Sequence, residues 1–182
     1  IKYLVSKGKR PVLAVAADSN GNLNEVLGMQ VTDTLGQAQE GMQKAQVTDG
    51  RTRAVFMSMR LEEAIVESDG FDLVVMGQPE GAGCYCAANS LLAGFLDRLT
   101  GNYPYMVMDN EAGMEHISRL TPHNVDVLLL VSDTSRRSLQ AAIRINQLSK
   151  SLNIGVGNSY LVVNQAKNGL SKEALELIAS ED

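Results

Sequence analysis

IKYLVSKGKRPVLAVAAD, residues 1–18, is the stretch that decides the fold. Ile1, Leu4 and Val5 recur at helical spacing, and Gly8 is a natural helix terminator. Lys7, Lys9 and Arg10 suit the negative end of a helix dipole. Pro11 then forbids helix, and Val12–Ala17 is an unbroken apolar run, the pattern of a strand buried on both faces. A helix that leads straight into a buried strand is the second half of a βαβ unit. The chain is therefore expected to be a fragment that opens inside a helix.

The same alternation continues outward. Leu23–Met29 reads as a short helix, and residues 30–58, with few apolar anchors, as a mobile loop with helical pieces. Leu61, Ala64 and Ile65 mark a helix ended at Asp69-Gly70, followed by a second strand, FDLVVM, at Phe71–Met76. Leu91, Leu92, Phe95, Leu96 and Leu99 have helical spacing. Three further strands are expected at Tyr103–Met108, Val125–Val131 and Ser159–Val163. Between the last two lies a helix carrying Leu139, Ile143 and Leu148, with Asp133, Thr134 or Ser135 to cap it, and a final helix starts near Ser171. Strands alternating with helices predict an α/β fold, a doubly wound and mostly parallel sheet. Ligands bind such sheets at the C-terminal ends of the strands. That rule gathers Asp18, the loop bearing Cys84 and Cys86, Asp109, Asp133 and Asn164 onto one expected rim.

Composition narrows the function. At 182 residues the chain fits one domain, and 45% hydrophobic content is enough for a sizeable core. A net charge of -5 has the wrong sign for holding nucleic acid through its phosphates. Aromatic content of 4%, with no Trp, leaves little for base stacking. The apolar run Val125–Val131, interrupted by Asp126, falls far short of the roughly 20 residues a membrane span needs. Two cysteines do not make a disulfide framework, which points to a reducing cytoplasm.

Several residues could carry chemistry. Asp109 closes YPYMVMD, and a carboxylate at the end of a buried strand either reaches Mg²⁺ or is an ordinary loop residue. Behind it, Asn110–Gly113 is a tight turn hinged at Gly113, where nucleotide switches sense a γ-phosphate. Asp18 could orient a water, hold a metal shell or serve as a turn residue. Cys84 and Cys86 sit one residue apart in GQPEGAGCYCAANS. They suit a soft metal or redox chemistry, or are simply two reduced thiols. Two thiolates do not complete a tetrahedral site; the others would come from a second chain, or from His116 or His123. Arg136 and Arg137 could meet phosphate or form a solvated face. GxxxxGK[ST], the phosphate cradle, occurs nowhere in these residues.

GCYCAANSLLAGFLD, YPYMVMDNEAGMEHISRLT, VDVLLLVSDTSRRSLQAAIRI and LVVNQAK, in that order, resemble the CooC-type maturation factors of carbon monoxide dehydrogenase. These belong to the MinD/ParA-like branch of P-loop NTPases. The resemblance covers nearly the whole chain and is weakest over residues 23–60. It implies a single partial nucleotide-binding domain over residues 1–182, with a metal loop at 78–90. Cys84 and Cys86 match the family's Cys-x-Cys, which binds Ni²⁺ or Zn²⁺ between two subunits. Asp109 resembles the Walker-B carboxylate, Asn110–Gly113 the second switch, and Asn164 the adenine-contacting Asn. Asp18 matches the second carboxylate of the first-switch pattern DADP, where Ala16 replaces the first Asp and Ser19 the Pro. The implied function is ATP-driven nickel insertion by a cytoplasmic homodimer, with ATP and Mg²⁺ as cofactors and the carbon monoxide dehydrogenase apoenzyme as partner. Without the family's lysine-bearing phosphate loop, residues 1–182 alone are expected to be inactive as an ATPase. A metal-binding or scaffold module without ATPase activity, and a MinD/ParA-type positioning ATPase, are the alternatives.

Overall fold

The computed structural model describes residues 1–18, 21–44, 53–77, 94–99, 101–111, 125–152, 155–167 and 169–180. They fall into two compact units, Ile1–Glu111 and Ala112–Asp182. In the first unit, helix α1 (Lys2–Ser6) leads to strand β1 (Val12–Ala16). Gly8 reverses the chain between them with φ 73°, a left-handed conformation that costs a glycine nothing. Helices α2 (Leu23–Leu27), α3 (Leu35–Lys44) and α4 (Arg53–Glu63) follow, then β2 (Val66–Glu67), β3 (Phe71–Val75), a helical segment α5 at 94–99, and β4 (Tyr105–Asp109).

The sheet order is β2-β3-β1-β4. β1 pairs in parallel with β3, Val12 opposite Phe71, and with β4, Val12 opposite Tyr105. A strand flanked on both sides and covered on both faces has no exposed side chain, and Val12 to Val15 are wholly buried. Period-two alternation puts Val12, Ala14, Ala16, Phe71, Leu73 and Val75 on one face, where Leu4, Val5, Leu23 and Leu27 pack.

The second unit is a βαβ module: β5 (Val125–Ser132), helix α6 (Arg136–Ser151) and β6 (Val156–Val163), followed by α7 (Lys172–Ala179). β5 and β6 are parallel, with Val125 opposite Val156 and Ser132 opposite Val163. Ser135 caps α6, its hydroxyl accepting from the Ser138 amide at 3.2 Å, and Ser171 caps α7 in the same way at Ala174.

The α/β class and the parallel pairing match expectation, while several boundaries do not. Within residues 30–58 the helical pieces are α3 and the start of α4, and residues 45–52 lie outside the described residues. The signal was polar rather than apolar. Thr34 and Gln37 form a reciprocal capping box, Gln37 Oε1 accepting from the Thr34 amide at 3.0 Å and Thr34 Oγ1 accepting from the Gln37 amide at 3.3 Å. β2 is a two-residue antiparallel partner of β3, too short for periodicity to reveal. β4 starts at Tyr105, directly after Pro104, and Tyr103 ahead of it donates its hydroxyl to Asp72 Oδ2 at 2.6 Å. β6 begins three residues earlier than its apolar run, at Val156, and Gly157 there lies against the Asp126 carbonyl.

Burial separates what should matter for stability from what should not. Leu73→Ala, at a wholly buried site in β3, is expected to cost about 2–5 kcal/mol. Ser135→Ala should cost only about 1 kcal/mol through its lost cap. Urea unfolding monitored by circular dichroism gives both values.

Candidate functional site

The first unit brings two carboxylates to one rim. Ala16 stands opposite Asp109 in the β1–β4 register, and the Ala17 amide donates to the Asp109 carbonyl at 2.9 Å. Asp18 follows directly and closes a tight turn in which the Gly21 amide donates to its carbonyl at 3.1 Å. Adjacent parallel strands thus end in Asp18 and Asp109. Partial burial pushes the Asp109 carboxyl above its ordinary range, and the negative field of Asp18 pushes it further the same way.

Such a pair suits a hard divalent cation, whose charge would relieve both effects. Among the described residues no group of three or more His, Cys, Asp or Glu side chains is arranged to hold a metal. Mg²⁺ is commonly held by one or two carboxylates, with water or phosphate oxygens completing its shell.

The second unit has its own rim. The Asn164 amide donates to the Ser132 carbonyl at 2.7 Å, extending the β5–β6 ladder by one step. Asn164 Oδ1 accepts from the Gln165 amide at 2.8 Å, and Gln165 is held at φ 59°. A non-glycine residue in that region is sparsely populated backbone, sustained by its surroundings. The Asn164 side-chain NH₂ remains the group with which this turn could address a ligand. Asp133, also expected on a rim, works as a helix-terminal acceptor. Hydrogen bonds from Ser135, with a smaller one from Ser138, hold its carboxyl below the usual range. Arg136 and Arg137 are exposed at the start of α6.

Cys84, Cys86, Gly113, His116, His123 and Ser19 lie outside the described residues, and with them all of the expected metal loop and half of the expected second switch. Sequence reading missed a third feature, beside the exit of β3. Arg60 bridges Asp33 at 2.7 Å and Glu63 at 2.8 Å, and Asp33 Oδ1 accepts from the Thr34 amide at 3.0 Å. The pattern Thr34-x-x-Gln37 is the signal that could have located it.

No protein-family model matches the chain. Several solved structures match its architecture. One is the septum site-determining protein MinD of Pyrococcus horikoshii OT3, complexed with Mg-ADP: TM-score 0.63, 19% identity, 95% of this chain and 67% of that one. The chain has the MinD/ParA fold. In sequence it is similar to the uncharacterized ATP-binding protein MJ0685 of Methanocaldococcus jannaschii, 39% identical over 167 residues and 90% of this chain. It is also similar to the carbon monoxide dehydrogenase accessory protein CooC of Rhodospirillum rubrum, 30% identical over 159 residues and 79% of this chain. The chain spans 66% and 59% of these two relatives, less than two thirds of either. Among the described residues no helix is long and apolar enough to cross a membrane.

The raised Asp109 pKa has a signed consequence. The folded state holds this proton more tightly than the unfolded chain, so folding is favoured at acid pH and loses that contribution as pH rises through the raised value. Asp109→Asn should therefore be modestly more stable than the parent at pH 7 in the absence of divalent cations. The difference should vanish as pH falls below the usual carboxylate range, near pH 4. Added Mg²⁺ should raise the melting temperature of the parent and not of the variant. Thermal denaturation across pH, with and without Mg²⁺, measures both effects.

Proposed function

We propose that this chain is part of an ATP-dependent maturation factor that binds nickel and delivers it to carbon monoxide dehydrogenase. The observation that carries the nucleotide half is the convergence of Asp18 and Asp109 at the ends of adjacent parallel strands. In open α/β sheets ligands bind in the crevice outside the carboxyl ends of the strands. The ATP-binding designation of the archaeal relative and the Mg-ADP of the Pyrococcus MinD complex support the reading. Mg²⁺ with ATP supplies a polarised γ-phosphate. Asp109 would hold the metal's water shell, Asp18 would orient the attacking water, and the Asn164 amide would address the adenine. Gly113 would hinge the second switch.

The metal half rests on Cys84 and Cys86 and on the similarity to CooC, an accessory protein of carbon monoxide dehydrogenase. Nickel is here the cargo. One loop supplies two thiolates, and a two-fold pairing of chains supplies the other two from the same loop of the second copy. Closing the dimer assembles the site and opening it releases the ion, so metal and dimer stabilise each other by mass action. The MinD/ParA fold also favours a second reading, a positioning ATPase, for which a Cys-x-Cys pair has no use.

In the full-length protein, metal titration with mass determination should give one Ni²⁺ or Zn²⁺ per two chains. Cys84→Ser or Cys86→Ser should abolish both uptake and metal-dependent dimerisation, with secondary structure unchanged. One ion per chain, or dimers indifferent to both substitutions, would overturn the shared site. Asp109→Ala should lower Mg-dependent ATP turnover by about 100-fold or more while leaving metal uptake intact. Equal turnover in that variant would remove Asp109 from the mechanism.

A further inference from the structure

α6 carries a charge that the rest of the chain does not share. From Thr134 to Lys172 the sequence holds six basic residues and no acidic one, in a chain whose net charge is -5. Four of the six, Arg136, Arg137, Arg144 and Lys150, lie on α6, and all four are exposed. Leu139, Ala142 and Ser149 occupy the opposite face and are buried. At 3.6 residues per turn, Arg137 and Arg144 fall on one line along the outer face, two turns and about 10 Å apart. Exposed Ala141 stands between them, too small to keep a partner's surface away from either guanidinium group.

Among the described residues nothing neutralises this face. Arg10, Arg60 and Lys172 each meet a carboxylate, whereas no described ion pair involves Arg136, Arg137, Arg144 or Lys150. Of the acids that flank the stretch, Asp133 accepts from the Ser135 amide at 2.8 Å, and Glu176 lies 3.9 Å from Lys172 Nζ. Arg136 and Arg137 also follow directly on the Ser135 cap, in a first turn that holds no acid. Cations there oppose the helix dipole, while Lys150 in the last turn agrees with it. The two arginines are thus set against their local electrostatics with no described carboxylate to offset it, the mark of residues that serve something outside the fold.

We propose that the outer face of α6, centred on Arg137 and Arg144, docks an acidic protein partner whose carboxylates pair with the two guanidinium forks. The surface depends on neither the nucleotide nor the metal reading. A protein fits it better than other polyanions do. A nucleic acid would bring its phosphates against a chain of net charge -5, and α6 has no aromatic residue on which a base could stack. An anionic membrane takes up a helix through its apolar face, and that face of α6 is already buried. A patch of carboxylates needs only a local basic face, and such attraction sets encounter rate and orientation.

The test is fluorescence anisotropy on the full-length protein at low ionic strength, with labelled poly-L-glutamate as the acidic probe. The parent should bind it, and added salt should weaken the binding. Arg137→Ala with Arg144→Ala should lower the affinity about tenfold or more, the loss expected for charge-assisted pairs. Alanine is the best helix former and the change removes a cation from the first turn, so the melting temperature should not fall. Arg137→Lys with Arg144→Lys keeps the charge without the fork and should bind with intermediate affinity. Lys2→Ala with Lys7→Ala, on α1, removes the same charge elsewhere and should leave binding near that of the parent. No binding of poly-L-glutamate by the parent, or an equal loss from the α1 pair, overturns the docking face. Tighter binding of a DNA duplex or of phosphatidylserine vesicles, lost in the same arginine variant, overturns it in favour of a nucleic acid or a membrane.

Discussion

Pairing of β1 with β3 on one side and β4 on the other is the constraint on which the first unit depends. Pairing in parallel aligns strand ends, so Ala16 opposite Val75 and Ala16 opposite Asp109 place the exits of β3 and β4 each one strand spacing from the exit of β1. Without that register Asp18 and Asp109 would be two unrelated surface acids. With it they share a field, and the cost of holding both charges at one rim becomes a preference for a cation. The wholly buried run Val12–Val15 enforces the alignment, because slipping one residue would exchange every side chain between the two faces.

The second unit repeats the design with a different outcome. Ser132 and Asn164 end neighbouring strands as Ala16 and Asp109 do, yet this rim carries an amide and a left-handed Gln165 instead of paired acids. A neutral amide offers both a donor and an acceptor, suited to reading a base edge rather than neutralising phosphate. Within this unit Val127, Leu129 and Val131 stay exposed, although the run VDVLLLVS has the composition of a core strand. α6 covers one face of the ladder, where Leu139 and Ala142 are buried.

Most of the fold was legible because its signals are local. A short, mostly apolar run bounded by turn-forming residues needs no partner to be recognised, and Val12–Ala16, Phe71–Val75 and Val125–Ser132 follow that rule. The α3 start, β2 and the early entry of β6 were hidden for a common reason. Each is held by polar or backbone contacts, from Gln37, β3 and the Asp126 carbonyl, that no hydrophobic pattern records. The candidate carboxylates were legible as residues, since an Asp that ends a buried strand stands out. Their mutual repulsion was not.

The sequence by itself determined that strands alternate with helices, that Asp18, Asp109 and Asn164 lie at or just past strand ends, and that two thiols stand one residue apart. Those are consequences of chain order and side-chain chemistry. The tertiary structure alone decided which strand ends are neighbours, that burial and then the field of Asp18 raise the pKa of Asp109, and that Gly77 abuts Thr34. Thr34 and Gly77 are more than forty residues apart in the chain. Long-range register and close backbone approach arise only when the ladder closes, because each depends on where a distant segment comes to rest.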